Sequence, residues 1–220
     1  MCGRYSFAIE DALILERFGL RVRTAIYKAR YNCAPTQNLA VIANDMPDDL
    51  QFFRWGLIPS WAKEASVGNK LINARAETVN EKPSFRNSFR SKRCLVPATG
   101  FFEWERKAEK TPYFIRLKNR EPFCFAGLWD KWVTADGEIV PSFTIITTSP
   151  NSLMAKIHDR MPVILHREDE KRWIVPHQDP SLAELLKPFP AELMEIFPVS
   201  KLVNSPLNDT PQILEPVGLF

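Results

Sequence analysis

The sequence predicts an α+β fold: a single domain over residues 1–220, in which a mostly antiparallel, barrel-like, bifurcated β-sheet is flanked by short helices. Three observations carry this expectation. After a first helical stretch the chain breaks into short runs rich in β-branched and aromatic residues, punctuated by Pro, Gly, Asn and Asp. The runs follow one another without regular intervening helices, which parallel strands would need as crossovers. A length of 220 residues with 45% apolar content is enough for one sizeable core, while 18 prolines imply many irregular connections.

Ile9 to Phe18 reads as a helix, because Ile9/Leu13, Ala12/Leu15 and Ile14/Phe18 recur at helical spacing and Gly19 suits a C-terminal cap. Strands are expected at Leu39–Ala43, Gln51–Trp55, Cys94–Val96, Phe101–Glu105, Tyr113–Leu117, Phe123–Leu128 and Phe143–Thr147. Ser149-Pro150 reads as an N-cap with proline at the first helical position, opening a short helix to about Ile157. Further short helices are expected at Glu168–Trp173 and Ser181–Leu186.

Composition narrows the function classes. No apolar run approaches the ~18 residues of a membrane span, and only Met1 precedes Cys2-Gly3-Arg4, so neither a spanning helix nor a secretory signal is expected and the location is read as cytoplasmic. Cys2, Cys33, Cys94 and Cys124 lie far apart with no C-x-x-C pair, and His158, His166 and His177 match no ligand spacing, so no metal and no cofactor are expected. A net charge of +3 is too small to argue nucleic-acid binding by itself. The basic stretch from Arg86 to Arg93 reads more readily as a solvated loop than as a nucleic-acid contact.

Cys2 is the most informative residue. Removal of Met1 leaves an α-amine and a thiol on one skeleton, with ordinary pKa values of roughly 7.7–8.0 and about 8.5. Such a 1,2-aminothiol condenses with an aldehyde: the amine forms an imine, the thiol closes on the imine carbon, and a five-membered thiazolidine results. No internal cysteine can do this, and a retained Met1 would block it by acylating the amine.

Three further clusters have chemical potential. In Leu71–Thr78, Asn73, Arg75 and Glu77 fall on one side of an extended segment. Glu103 sits among aromatics in Phe101-Phe102-Glu103-Trp104, where desolvation would raise its pKa and keep a proton available. His158-Asp159-Arg160 combines a near-neutral titrating group with an anion-pairing guanidinium. Each also has a purely structural reading: a polar edge-strand face, an outward-facing glutamate and a helix-terminal histidine.

The motifs Cys2-Gly3-Arg4, Arg30–Thr36, Arg54–Trp61, Asn73–Thr78, Phe102-Glu103-Trp104 and His158–Pro162, with Pro198-Val199-Ser200 and Val203-Asn204, closely resemble one family in its own order from Cys2 to about Pro206. It is the SOS-response-associated peptidase family, whose members process abasic sites. The resemblance implies that Cys2, freed of Met1 by autoproteolysis or an aminopeptidase, cross-links to the aldehyde of an abasic site in single-stranded DNA. It implies that Asn73 hydrogen-bonds the opened sugar, Glu103 transfers protons and His158 stabilises the sugar. Arg4 and Arg75 would hold flanking phosphates, and Arg160, Pro35 and Trp61 would line the DNA groove. It further implies a monomer with lyase activity, nucleoid-associated during DNA damage, and the lack of a long basic tail after Val217-Gly218-Leu219-Phe220 leads to the expectation of a minimal member of bacterial or phage origin. Two other readings stand beside this one. A reversible single-strand-binding module would not need Cys2, and an N-terminal-cysteine amidotransferase would carry Asn-Gly and Gly-Asp segments, neither of which occurs here.

Overall fold

A computed structural model describes residues 2–20, 27–106, 109–176 and 179–218. Thirteen strands and three short α-helices are assigned within them. In chain order these are β1 (Tyr5–Phe7), α1 (Asp11–Phe18), β2 (Arg30–Cys33), β3 (Asn38–Ala43), β4 (Gln51–Trp55), β5 (Asn73–Arg75), α2 (Arg86–Ser91), β6 (Arg93–Ala98), β7 (Gly100–Trp104), β8 (Pro112–Leu117), β9 (Phe123–Val133), β10 (Ile139–Thr148), β11 (Met161–Pro162), β12 (Ile164–Leu165), α3 (Arg167–Trp173) and β13 (Met194–Pro198).

The strands pair into two sheets, ordered β13-β8-β7-β1-β2 and β11-β10-β4-β3-β6-β9-β12. Because β9 also pairs with β10, the circuit β10-β4-β3-β6-β9 closes on itself as a five-stranded barrel. The expected α+β class with a barrel-like, mostly antiparallel sheet is therefore correct. β4 and β5 are the exceptions, each running parallel to β10. Bifurcation occurs at Thr99, where the chain leaves β6 of the barrel and enters β7 of the second sheet one residue later. Gly100 is required there: a Cβ would stand 2.2 Å from the Phe114 ring and 2.8 Å from the Ile115 carbonyl oxygen.

One apolar core joins the barrel to the second sheet. Trp55 and Phe143 stack with ring centroids 6.2 Å apart, and Tyr5 from β1 packs edge-on against both Trp55 and Phe125. A smaller cluster of Phe102, Phe114, Val199, Val203 and Ile213 fastens the C-terminal segment to the outer face of β7 and β8. Asp209 adds polar fastening, accepting from the backbone N–H groups of Tyr31 (2.6 Å) and Asn32 (2.8 Å).

Several local expectations are corrected. Ser149-Pro150 opens no helix. The Asn151 side chain accepts from the N–H groups of Leu153 and Met154, so that a single 3-10 turn forms at Met154–Lys156. Residues 71–78 are not extended throughout: β5 ends at Arg75, opposite Thr147 near the end of β10, and Ala76–Thr78 turns into a 3-10 helix that takes Glu77 out of the alternation. The basic stretch from Arg86 is no solvated loop. It forms α2 and the start of β6, and Arg93 is fully buried, donating to the carbonyls of Trp173, Phe89, Arg90 and Val175. Helix α1 begins two residues later than expected but ends as expected, with Gly19 at φ 68° and its N–H on the Leu15 carbonyl. Only Ile14 of α1 is buried, so the Ala12/Leu15 pair faces outward.

Candidate active site

Strand pairing assembles the site. In the antiparallel register of β1 with β7, Tyr5 lies opposite Phe101 and the Phe102 N–H donates to the Arg4 carbonyl at 2.9 Å. Continuing this register brings the residues before Tyr5 alongside Glu103. From the other side, β5 hydrogen-bonds along β10 with Asn73 opposite Ile145. The Asn73 Nδ2 then donates to the Cys2 carbonyl oxygen at 2.8 Å, while its Oδ1 is buried without a partner among the described residues. That free acceptor is suited to a hydroxyl donor on a ligand.

The electrostatics are those of a water-poor pocket. Cys2 is completely buried; burial pushes its thiol far above the ordinary value, and the nearby Glu103 carboxylate adds to the shift. Glu103 is 3% exposed, and burial raises its pKa against the pull of neighbouring positive charge that includes Arg106. It is thus the kind of carboxyl that retains a proton closer to neutrality. His158 shifts the opposite way: burial lowers its pKa and the Arg106 charge lowers it further, favouring neutral imidazole. Its Nδ1 edge receives the Arg160 N–H at 3.1 Å, and its Nε2 lies 3.4 Å from Arg106 Nη2.

Arg4 and Arg160 are less free than the sequence suggests. Arg4 Nη1 donates to Asn32 Oδ1 (2.8 Å) and the Val203 carbonyl (2.6 Å), and its guanidinium lies 5.9 Å from the Trp104 ring centre. Arg160 forms a two-pronged pair with Glu77 at 2.5 and 3.0 Å and also donates to the Thr147 carbonyl. The remaining predicted groups lie nearer the surface: Arg75 is exposed, Trp61 is 58% exposed and Pro35 is half-buried. Cys2 is therefore held by Asn73 and lies within electrostatic reach of Glu103, and the Arg106 charge acts on both Glu103 and His158.

Two residues of this neighbourhood had no assigned role in the sequence. Asn32 is fully buried, and its amide donates to the carbonyls of Val203, Ser205 and Asn208 while its Oδ1 holds Arg4. Its place in the Arg30–Thr36 motif of the family resemblance was its only signal. Arg106, three residues after Glu103, had none. Among the described residues no group of three or more His, Cys, Asp or Glu side chains could hold a metal ion, and no helix is long and apolar enough to cross a membrane. His177 lies outside the described residues, as does Met1.

A family model described as SOS response associated peptidase (SRAP) matches residues 1–206. The chain is 50% identical over 222 residues to the abasic site processing protein YoqW of Bacillus subtilis (strain 168), covering 98% of this chain and 99% of that protein. It is 33% identical over 226 residues to the abasic site processing protein HMCES of Xenopus tropicalis, covering 88% and 68% respectively. Among solved structures, a Bacteroides thetaiotaomicron protein superposes with a TM-score of 0.90 at 35% identity over 98% of this chain and 100% of its own. A Bordetella bronchiseptica protein at 24% identity shares the fold with a TM-score of 0.80, covering 90% of this chain and 100% of its own.

Proposed function

Since this chain belongs to the SOS response associated peptidase family, we propose that it processes abasic sites in single-stranded DNA by capturing the ring-opened sugar aldehyde covalently on Cys2. The observation that carries this reading is the burial of Cys2 between Asn73, which holds its carbonyl, and Glu103, a carboxyl with a raised pKa.

The chemistry follows from those groups. With Met1 removed, the Cys2 amine attacks C1′ of the aldehyde to give a carbinolamine. Loss of water from it needs an acid, which a protonated Glu103 supplies, and the imine results. Because the acid is left ionised, that imine is formed protonated on nitrogen, and the Cys2 sulfur adds to its carbon as the thiol proton passes to the Glu103 carboxylate, closing the thiazolidine. One water leaves overall. A thiol held above its ordinary pKa is a poor free nucleophile, so the ionised Glu103 produced in the dehydration step is the natural acceptor of its proton. Neutral His158 would assist opening of the sugar ring. Asn73 Oδ1 would accept a hydroxyl of the opened sugar, and Arg4 and Arg75 would meet flanking phosphates. Peptidase action is read as self-removal of Met1, and lyase action as a side path of the same imine.

The test uses protein verified by mass to lack Met1, incubated with a uracil-containing single strand treated with a glycosylase. A heat-stable, denaturant-resistant protein–DNA band that disappears in Cys2→Ala is expected. Reversible, salt-sensitive binding that is indifferent to Cys2→Ala would instead identify a non-covalent single-strand binder.

A further inference from the structure

Beside His158 an open cleft of about 520 Å³ is lined by Arg106, Pro150, Ala155, Lys156, Ile157, His158 and Asp159. Of its lining residues the capture chemistry above uses His158 alone. Its polar rim carries two cations, Arg106 and Lys156, against one carboxylate, Asp159, and its wall at Pro150, Ala155 and Ile157 is apolar. Arg106 Nη2 touches Asp159 Oδ1 at 2.6 Å and stands 3.4 Å from His158 Nε2. Both members of the Arg106–Asp159 pair are more than half exposed, at 59% and 58% of their side chains.

We propose that this cleft holds the nucleotide next to the lesion, with Arg106 leaving Asp159 to bind its phosphodiester, Lys156 adding a second charge and the apolar wall receiving its sugar or base. The inference rests on the abasic-site reading and extends it to a place for the strand. An exposed arginine–carboxylate pair contributes little, because both partners lose good hydration for a contact that water and salt screen. A phosphodiester offers two acceptor oxygens in the geometry that a guanidinium meets with paired hydrogen bonds. Exchange of partners is therefore easy. It would also anchor the strand within reach of His158, so that the sugar, not the neighbouring nucleotide, is presented to the buried pocket.

The experiment measures fluorescence anisotropy of Met1-free protein on a single strand carrying a tetrahydrofuran abasic analogue, which has no aldehyde and reports binding alone. Arg106→Ala and Lys156→Ala should each weaken binding about tenfold at low salt and reduce the slope of log affinity against log salt by about 0.7, the value for one phosphate contact on a single strand. Asp159→Asn should act in the opposite direction and tighten binding. A neutral methylphosphonate at a linkage flanking the lesion should reproduce the loss in wild type and add nothing to Arg106→Ala. Unchanged affinity and slope in both alanine variants would overturn the proposal, as would weakening by Asp159→Asn, which would mark the pair as scaffold. Cross-linking of wild type to a genuine abasic strand is followed in parallel. Its failure would overturn the functional reading, whereas intact cross-linking with salt-insensitive variants would overturn the cleft alone.

Discussion

Inside the five-stranded barrel, buried side chains are overwhelmingly apolar: Trp55, Val96, Phe125, Leu128, Phe143 and Ile145 are all fully enclosed. The strands that lead to Cys2 also bury polar and charged side chains, Asn32 and Glu103, and Asn73 beside them is half-buried. Of the buried side-chain atoms without a partner, Arg4 Nε, Asn73 Oδ1 and Arg160 Nε belong to residues of the site and Thr144 Oγ1 to the barrel. Burying an unpaired polar atom costs free energy, roughly 1–3 kcal/mol for a neutral group. The pocket is therefore held in place by elements that are stable without it. The difference teaches that the barrel supplies cohesion, while the reactive groups gather where β5 of its sheet meets the start of β1 and β7 of the second sheet.

That contrast can be broken most forcefully from the barrel side. Trp55→Ala removes a ring that stacks on Phe143 and whose Nε1 donates to the Ile72 carbonyl, next to Asn73. A loss of about 3–5 kcal/mol in urea unfolding is expected, and cross-linking should fall as well, because the support of β5 is lost. A variant that unfolds as early as expected yet cross-links at the wild-type rate would show the two regions to be independent.

Glu103→Gln addresses the pocket. Adduct formation should slow about 10²-fold or more, the usual contribution of a positioned acid–base group, measured by single-turnover gel kinetics. Stability should respond in the opposite sense. Burial lifts the folded pKa of Glu103 above its ordinary 4.5, so the folded state holds that proton more tightly than the unfolded chain. The resulting stabilisation is complete below about pH 4.5 and disappears as pH rises through the raised folded value. Glu103→Gln has no such loss, so its stability profile should be flatter over that window, and coincident profiles for variant and wild type would contradict the assignment.

Asn73→Ala should have the smallest effect. One hydrogen bond to the Cys2 carbonyl is lost, worth about 1 kcal/mol, together with an acceptor that had no partner in the folded protein. Thermal melting should shift only slightly, while the adduct rate falls about tenfold because Cys2 and the sugar lose their common support. A rate loss no larger than the stability loss would reduce Asn73 to a structural role.

Much of this molecule is legible residue by residue. Leu39–Ala43 and Gln51–Trp55 are dense runs of β-forming residues, and both are strands within a residue of the expected limits. Short strands were not visible: β1, β2, β11 and β12 span two to four residues each, too few to establish a period, and they exist because neighbours supply hydrogen-bond partners. Ser149-Pro150 shows the same limit from the other side. Its cap signal is sound locally, yet Asn151, whose amide is also fixed to the Phe189 carbonyl, captures the turn first.

What the sequence determined by itself is the reactive unit, because the aminothiol of Cys2 is defined by covalent adjacency and needs no fold to be recognised. The expected strands and the aromatic setting of Glu103 are local too, since a side chain's near neighbours along the chain are set by order alone. Only the tertiary structure decided that β9 and β10 close a barrel, that Asn73 reaches the Cys2 carbonyl, that Arg160 is occupied by Glu77 and that Arg106 stands between His158 and Asp159. Those facts depend on register between segments up to 83 residues apart, as in the Arg160–Glu77 pair. Register is chosen by the burial of whole sheet faces, a sum over many residues that no single motif encodes.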